Sequence, residues 1–123
     1  MLEAYSLNVA VGANSAIPFN NITIQKGCTA KLEAPSTIEL NKRGIYIVYF
    51  DAVAGTSTTV QLYKDGVAQP QAQSTGTAVS FVTLVQVPQD NTCACATSPT
   101  LLRIVNTTAG TFTNVNLAVT KLC

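Results

Sequence analysis

The sequence predicts an all-β protein, an antiparallel two-sheet jelly-roll sandwich of about ten strands. Three observations carry this. Apolar and polar residues alternate with a period of two in many segments, and nothing sustains a helical period. Turn residues punctuate the alternating runs at short intervals. A chain of 123 residues is long enough for one domain with a real core, and too short for two. The reading is therefore one jelly-roll domain over residues 1–123.

The first strand is read in "MLEAYSLNVAVGA", where Tyr5, Leu7, Val9 and Val11 alternate with Ser6, Asn8 and Ala10 before the turn Gly12–Ala13–Asn14. "AIPFNNITIQK" sets Ile22 and Ile24 against Asn21, Thr23 and Gln25, and ends at Lys26–Gly27. "TIEL" sets Ile38 and Leu40 against Thr37 and Glu39, with a turn over 41–44. The strand from Ile45 to Phe50 follows, closed by a turn at Gly55. "STTVQLYKDGV" alternates through Val60 and Leu62 into Asp65–Gly66, a tight-turn dipeptide because glycine accepts the positive φ such turns require. "AQPQAQSTGT" is the most polar stretch, a loop or loosely held edge, since Pro70 lacks the N–H of a central strand. Gly76 reads as a turn. "TAVSFVTLVQVP" carries Val79, Phe81, Val85 and Val87 on one face and Ala78, Val82 and Leu84 on the other, and ends at Pro88. After a turn at Asp90–Asn91 comes the strand "PTLLRIVN", then a turn at Ala109–Gly110. The last strand, "FTNVNLAVTKLC", sets Val115, Leu117 and Val119 against Asn114, Asn116 and Thr120.

Two of these strands are apolar on both faces. Over 45–50 one set is Ile45, Ile47 and Tyr49, and the other is Tyr46, Val48 and Phe50; the strand over 78–87 behaves likewise. In a sandwich one face of each strand fills the core, so the outer faces of these two need a cover. The sequence has no helix to supply it. A second copy of the chain does, and a homo-oligomer with an aromatic and aliphatic interface is expected.

Composition supports that expectation. Charged residues are 11% of the chain and apolar residues 47%, against about 25% charged in an average soluble protein. The net charge is +1 with cations scattered along the chain, and only Lys42–Arg43 adjoin, in a segment read as a solvated turn. This lacks the clustered basic footprint of a nucleic-acid binder, so no nucleic-acid partner is expected. No apolar run reaches the ~18 residues of a membrane helix, and Glu3 stands where a signal peptide carries positive charge, so a soluble chain without conventional export is expected.

Catalytic chemistry is poorly provided for. The chain has no histidine, which removes Ser–His–Asp and Cys–His schemes for a single chain. Its carboxylates are Glu3, Glu33, Glu39, Asp51, Asp65 and Asp90. Glu39 and Asp51 flank the aromatic strand and are read as solvated strand ends rather than a glycosidase pair. No enzyme, cofactor or metal is expected. Cys93 and Cys95 lie two apart, with Cys28 and Cys123 elsewhere. This set is read as disulfides or free thiols ahead of a zinc site, and the pairings stay open. Asn21–Ile22–Thr23 and Asn106–Thr107–Thr108 match the glycosylation acceptor pattern, as chance allows in a chain rich in Asn and Thr.

"GIYIVYFDAVAG" resembles the Gly-x-Tyr-x-x-x-Phe strand of the tumour-necrosis-factor/complement-globular-head jelly rolls. More closely, "IPFNNITIQKG", "IELNKRGIYIVYFDAVAG", "VQLYKDGVAQPQA" and "NLAVTKLC" resemble small bacteriophage and prophage structural proteins and the C-terminal heads of collagen-like spore-surface glycoproteins. The likeness runs from about Ile17 to Cys123 and implies a TNF-like jelly roll that closes into a homotrimer. The candidate interface residues are Tyr46, Val48, Phe50, Phe81, Val82 and Leu84, with the opposite set of the 45–50 strand, Ile45, Ile47 and Tyr49, as the alternative. The resemblance implies a non-enzymatic head displayed on a virion surface, assembled in the host cytoplasm, as a capsid decoration or short-fibre knob. The other implied role is an adhesin on a spore or cell surface, contacting a glycan or receptor through Tyr5, Tyr63 and residues 68–77. Expected partners are other copies of the chain, and capsid protein or a surface glycan.

Overall fold

In the computed structural model, residues 1–27, 29–87 and 100–122 are described. The strands among them are β1 Leu2–Val11, β2 Ser15–Ala16, β3 Asn21–Gln25, β4 Ala30–Ala34, β5 Thr37–Leu40, β6 Gly44–Lys64, β7 Val67–Val87, β8 Thr100–Asn106 and β9 Gly110–Lys121. Every pairing is antiparallel. One hydrogen-bonded path, β3-β1-β9-β6-β8-β5-β4, folds over on itself at β6. Residues 46–54 of β6 pair with β9, and residues 60–64 pair with β8. β7 follows β6 through both halves, as the outermost strand. The first sheet is thus β3-β1-β9 with the start of β6 and the end of β7. The second is β4-β5-β8 with the end of β6 and the start of β7, and β2 also pairs with β8. Among the described residues no helix is long and apolar enough to cross a membrane.

The expected turns at Gly55 and Gly76 are absent. Both glycines lie inside long strands that pass from one sheet to the other without reversing. Between the pairs Val53↔Ala78 and Thr58↔Gly76, β6 has more residues than β7, and this bulge bends the ribbon. Gly76, with φ at +141°, supplies a backbone shape that a side chain would resist. Asp65 and Gly66 both have positive φ and form the expected tight turn. The Asp65 N–H donates to Leu101 O at 2.8 Å, and its Oδ1 accepts from the Leu101 N–H at 2.9 Å, which seats the turn on β8. The segment 68–77 is strand, bonded to β6 on one side only, which is where Pro70 does no harm.

The core lies between the sheets. Phe50 meets Phe19 edge-on at 6.3 Å and Phe81 at 5.4 Å between centroids, with Tyr46, Val48, Val60, Leu62, Leu102, Ile104, Leu117 and Val119 buried around them. Tyr46 donates its hydroxyl to Lys42 O at 2.7 Å, which satisfies the polar end of a buried ring. Burial pushes the Tyr46 phenol above its usual range, against the lowering effect of that hydrogen bond. Four of the expected interface residues, Tyr46, Val48, Phe50 and Phe81, are therefore core residues of a single chain. Their rings and branches face the opposing sheet, and Phe81 is 7% exposed at most. Val82 and Leu84 do lie outside.

β1 changes phase midway. Leu2, Ala4 and Ser6 face inward, then Asn8 takes a φ of 51°, and Val11 faces inward after it. Tyr5 and Leu7, expected on the same face as Val11, consequently sit on the outer face. Ser6 is buried without strain, because its hydroxyl donates to Pro18 O at 2.9 Å and accepts from Asn20 N–H at 2.7 Å. That pair of bonds pins the segment carrying Ile17 and Phe19 over the core edge.

Candidate functional site

Alternation in each strand fixes what the sheets show to the outside. On the first sheet Ile47 stands between Leu84 and Thr120, and Tyr49 between Val82 and Ala118. Asp51 stands between Ser80 and Asn116, and Val53 between Ala78 and Asn114. Tyr49, Val53, Val82 and Leu84 are exposed by 42%, 46%, 56% and 57%. The rows of Ile47 and Tyr49 are thus apolar through β6 and β7, and the Asp51 row is polar from β9 to β7. Sequence reading found Val82 and Leu84, and its alternative set, Ile45, Ile47 and Tyr49, is the one that β6 turns outward.

On the second sheet the corresponding β6–β7 positions are polar, although Val105 continues the Gln61 row on β8 and Val67 at the start of β7 is 63% exposed. Thr59 faces Thr75 and Gln61 faces Gln73 across the β6–β7 pair, and Tyr63 faces Arg103 on β8. The Thr59 and Thr75 hydroxyls bond at 2.8 Å. Glu39 of β5 lies 4.0 Å from Lys31 of β4. Arg103 Nε donates to Thr37 Oγ1 at 3.1 Å.

Glu39 and Asp51 therefore belong to different sheets and form no pair. Asp51 is not a strand end either: it sits within β6, half-buried. Its Oδ2 accepts from the Tyr49 hydroxyl and its Oδ1 from the Asn116 amide, both at 2.8 Å. The hydrogen bond to Asp51, and then its negative charge, raise the Tyr49 phenol above its usual range. This polar group lies inside the otherwise apolar half of the face. Sequence reading missed it, because Asn116 joins Asp51 only through the β6–β9 register.

Toward β1 the same face opens into a cleft. A cavity of about 230 Å³ is lined by Glu3, Tyr5, Thr23, Tyr49, Asn116 and Ala118. A second, of about 180 Å³, shares Glu3, Tyr49 and Ala118 and extends toward Met1 and Ile47. Of the contacts expected for an adhesin, Tyr5 lines this cleft. Tyr63 and residues 68–77 belong to the second sheet.

Cys28, Cys93, Cys95 and Cys123 all lie outside the described residues. Among the described residues there is no group of three or more side chains able to hold a metal ion. Of the two glycosylation patterns, Asn21 is exposed, whereas Asn106 is fully buried and bonded to Thr58 Oγ1 and Thr108 O.

No protein-family model and no curated protein matches the chain. Solved structures do. The globular domain of zebrafish complement 1qA superposes with a TM-score of 0.70 at 9% identity, covering 95% of this chain and 94% of that one. Rabbit GITRL gives 0.62 at 12% identity, covering 100% and 95%. Murine APRIL gives 0.61 at 11% identity, covering 98% of each. At such identities the likeness speaks for the fold alone, and by that measure the chain is a jelly roll of the tumour-necrosis-factor and complement-globular-head type.

Proposed function

We propose that this chain is a non-enzymatic structural head that closes into a homotrimer through the outer face of its first sheet. The observation that carries the reading is the contrast between the two outer faces. Ile47, Tyr49, Val82 and Leu84 form one apolar surface, with Val53 beyond the Asp51 row, whereas the corresponding β6–β7 positions of the other sheet are Thr59, Gln61, Thr75 and Gln73. A contiguous apolar patch of this kind is uncommon on a monomer and marks an interaction surface. A ring of identical subunits hides every copy of it in the same way. The threefold count rests on the sequence resemblance given above. At roughly 25 cal/mol per Å² of apolar area, covering on the order of 1,000 Å² per subunit gives substantial gross stabilisation, of which association takes a large share.

The place of display is proposed as a virion surface, on the resemblance to phage structural proteins. Absence of histidine and the separation of Glu39 from Asp51 support a role without catalysis. Sedimentation of dilute protein tests the assembly: a species of three times the chain's mass is expected, and a well-behaved monomer overturns the reading. Display is tested by whether the protein sediments with phage particles from an induced lysate; recovery only in the particle-free fraction overturns that part.

A further inference from the structure

The Asp51 row crosses the first sheet from edge to edge. Ser80, Asp51, Asn116, Tyr5 and Asn21 stand side by side on β7, β6, β9, β1 and β3. Within one chain the row is only partly satisfied. Each Asp51 carboxylate oxygen accepts one hydrogen bond, from Tyr49 or from Asn116, and a carboxylate has room for about four. The Ser80 and Tyr5 hydroxyls bond no described residue. No Lys or Arg stands in this row or in the row on either side of it. In water the carboxylate is solvated. Under a covering subunit it loses that water, has no counter-charge beside it and is short of donors.

We propose that this row sets the register of the assembly, because the same row of a neighbouring copy supplies the missing donors. The inference rests on the trimer proposed above and adds what aligns its subunits. Rotation about an axis along the strands leaves every residue at its own height, so the Asp51 rows of the three copies meet at one level. The Ser80 and Tyr5 hydroxyls of a neighbour then lie at the level of the carboxylate that lacks them. A copy displaced by one row moves two residues along the strand, about 6.8 Å. Displaced one way, it brings Tyr49, whose hydroxyl is already given to its own Asp51, and Glu3, a second carboxylate. Displaced the other way, it brings Ala78, Val53 and Asn114, one amide in place of two hydroxyls and an amide. Both slips bury Asp51 with fewer donors, whereas apolar rows alone accept either offset. A single polar position acts in this way in coiled coils, where it fixes alignment at some cost in affinity.

Two variants test this by native mass spectrometry, sedimentation of dilute protein and backbone amide spectra. Tyr5→Phe/Ser80→Ala removes the donors and leaves the Asp51 bonds within each chain intact. It should stay folded and in register, and associate about 10-fold or more weakly. Tyr49→Phe/Asp51→Leu/Asn116→Leu removes the carboxylate together with both of its bonded partners. It should associate at least as tightly as the parent and lose its single alignment. A parent with threefold symmetry gives one amide resonance per residue, whereas the triple variant should give several for residues 47–53 and 78–84. Should the triple variant fail to fold, the double variant decides. A trimeric parent whose double variant associates as tightly, or whose triple variant keeps one set of resonances, overturns the register assignment and leaves the trimer standing. A monomeric parent overturns both.

Discussion

The two outer faces of this sandwich are built from the same two strands, yet they differ in kind. β6 and β7 run through both sheets. In the first sheet they present Ile47, Tyr49 and Val53 beside Leu84, Val82 and Ala78; in the second they present Thr59 and Gln61 beside Thr75 and Gln73. Neither backbone geometry nor strand neighbourhood separates the two halves, since each pairs with β7 on one side and an inner strand on the other. The difference lies in side chains alone. A fold that needed only its own core would have no reason to place aliphatic branches on one exterior and hydroxyls and amides on the other. The lesson is that outward alternation carries information about partners, once inward alternation has been assigned.

The largest effect should come from charging the apolar half. In Leu84→Asp, and separately in Val82→Asp, a carboxylate replaces a branch that the assembly covers. The loss of apolar burial and the cost of desolvating a charge together exceed about 3 kcal/mol, or more than about 100-fold in association. Sedimentation should show monomer at concentrations where the parent is assembled. The matched change on the other face, Gln73→Asp, should leave the sedimentation profile as it was. If both faces tolerate a carboxylate equally, the contrast has no bearing on assembly.

Removing the polar group from the apolar face comes next. Asp51→Ala leaves the Tyr49 hydroxyl and the Asn116 amide without their shared acceptor. In the assembled state, where water no longer replaces it, this should cost about 1 kcal/mol per subunit, read as a lower midpoint in concentration-dependent thermal unfolding. An undiminished midpoint would mean that this part of the face stays wet.

Much of this architecture was legible in the residues. The Asp65–Gly66 turn, the edge character of the stretch around Pro70, and the inward set Val115, Leu117 and Val119 all follow from local chemistry. The orientation of the 45–50 strand did not, because both of its faces are apolar and alternation has no preference between them. The opposing sheet decides it: Tyr46 and Phe50 fill the wide interior, and Lys42 O takes the Tyr46 hydroxyl. The inversion at Asn8 was hidden as well, since a single positive φ leaves no trace in a hydropathy pattern. Gly55 was misread because a glycine that permits a bulge looks the same in sequence as one that permits a reversal. The cleft was half legible: Tyr5 stood out as an exposed aromatic, but its neighbours Asn116 and Thr23 arrive from β9 and β3 by register alone.

The Tyr49 phenol offers a pH test of the same face. Its folded titration point is raised by the Asp51 hydrogen bond and charge, so the neutral phenol is the form that the fold favours. The contribution is fully present below the unfolded value of about 10 and is lost as pH rises through the raised folded value. Ultraviolet titration should show two tyrosines, Tyr46 and Tyr49, ionising later than an exposed phenol does, and Asp51→Asn should bring only the Tyr49 midpoint back down. A late midpoint that persists in Asp51→Asn would mean that Asp51 is not what holds the Tyr49 phenol neutral.

The smallest effect belongs to the polar face. Thr59→Val breaks the hydroxyl pair with Thr75 while keeping a β-branched side chain suited to a strand. Cross-strand pairs of this kind contribute roughly 0.2–1 kcal/mol, and valine's own preference for a strand offsets part of that. Chemical denaturation should therefore place the variant within about 0.5 kcal/mol of the parent. The informative outcome is in its association. Valine at position 59 begins to give the second sheet the surface that the first already has, on a scaffold with the same strand pairing. If one branch were enough to recruit contacts, sedimentation would show species larger than the parent assembly. If adjacent apolar rows are required, as at Ile47–Leu84 and Tyr49–Val82 of the first sheet, the profile stays unchanged and the interface is defined by contiguity rather than by any single residue.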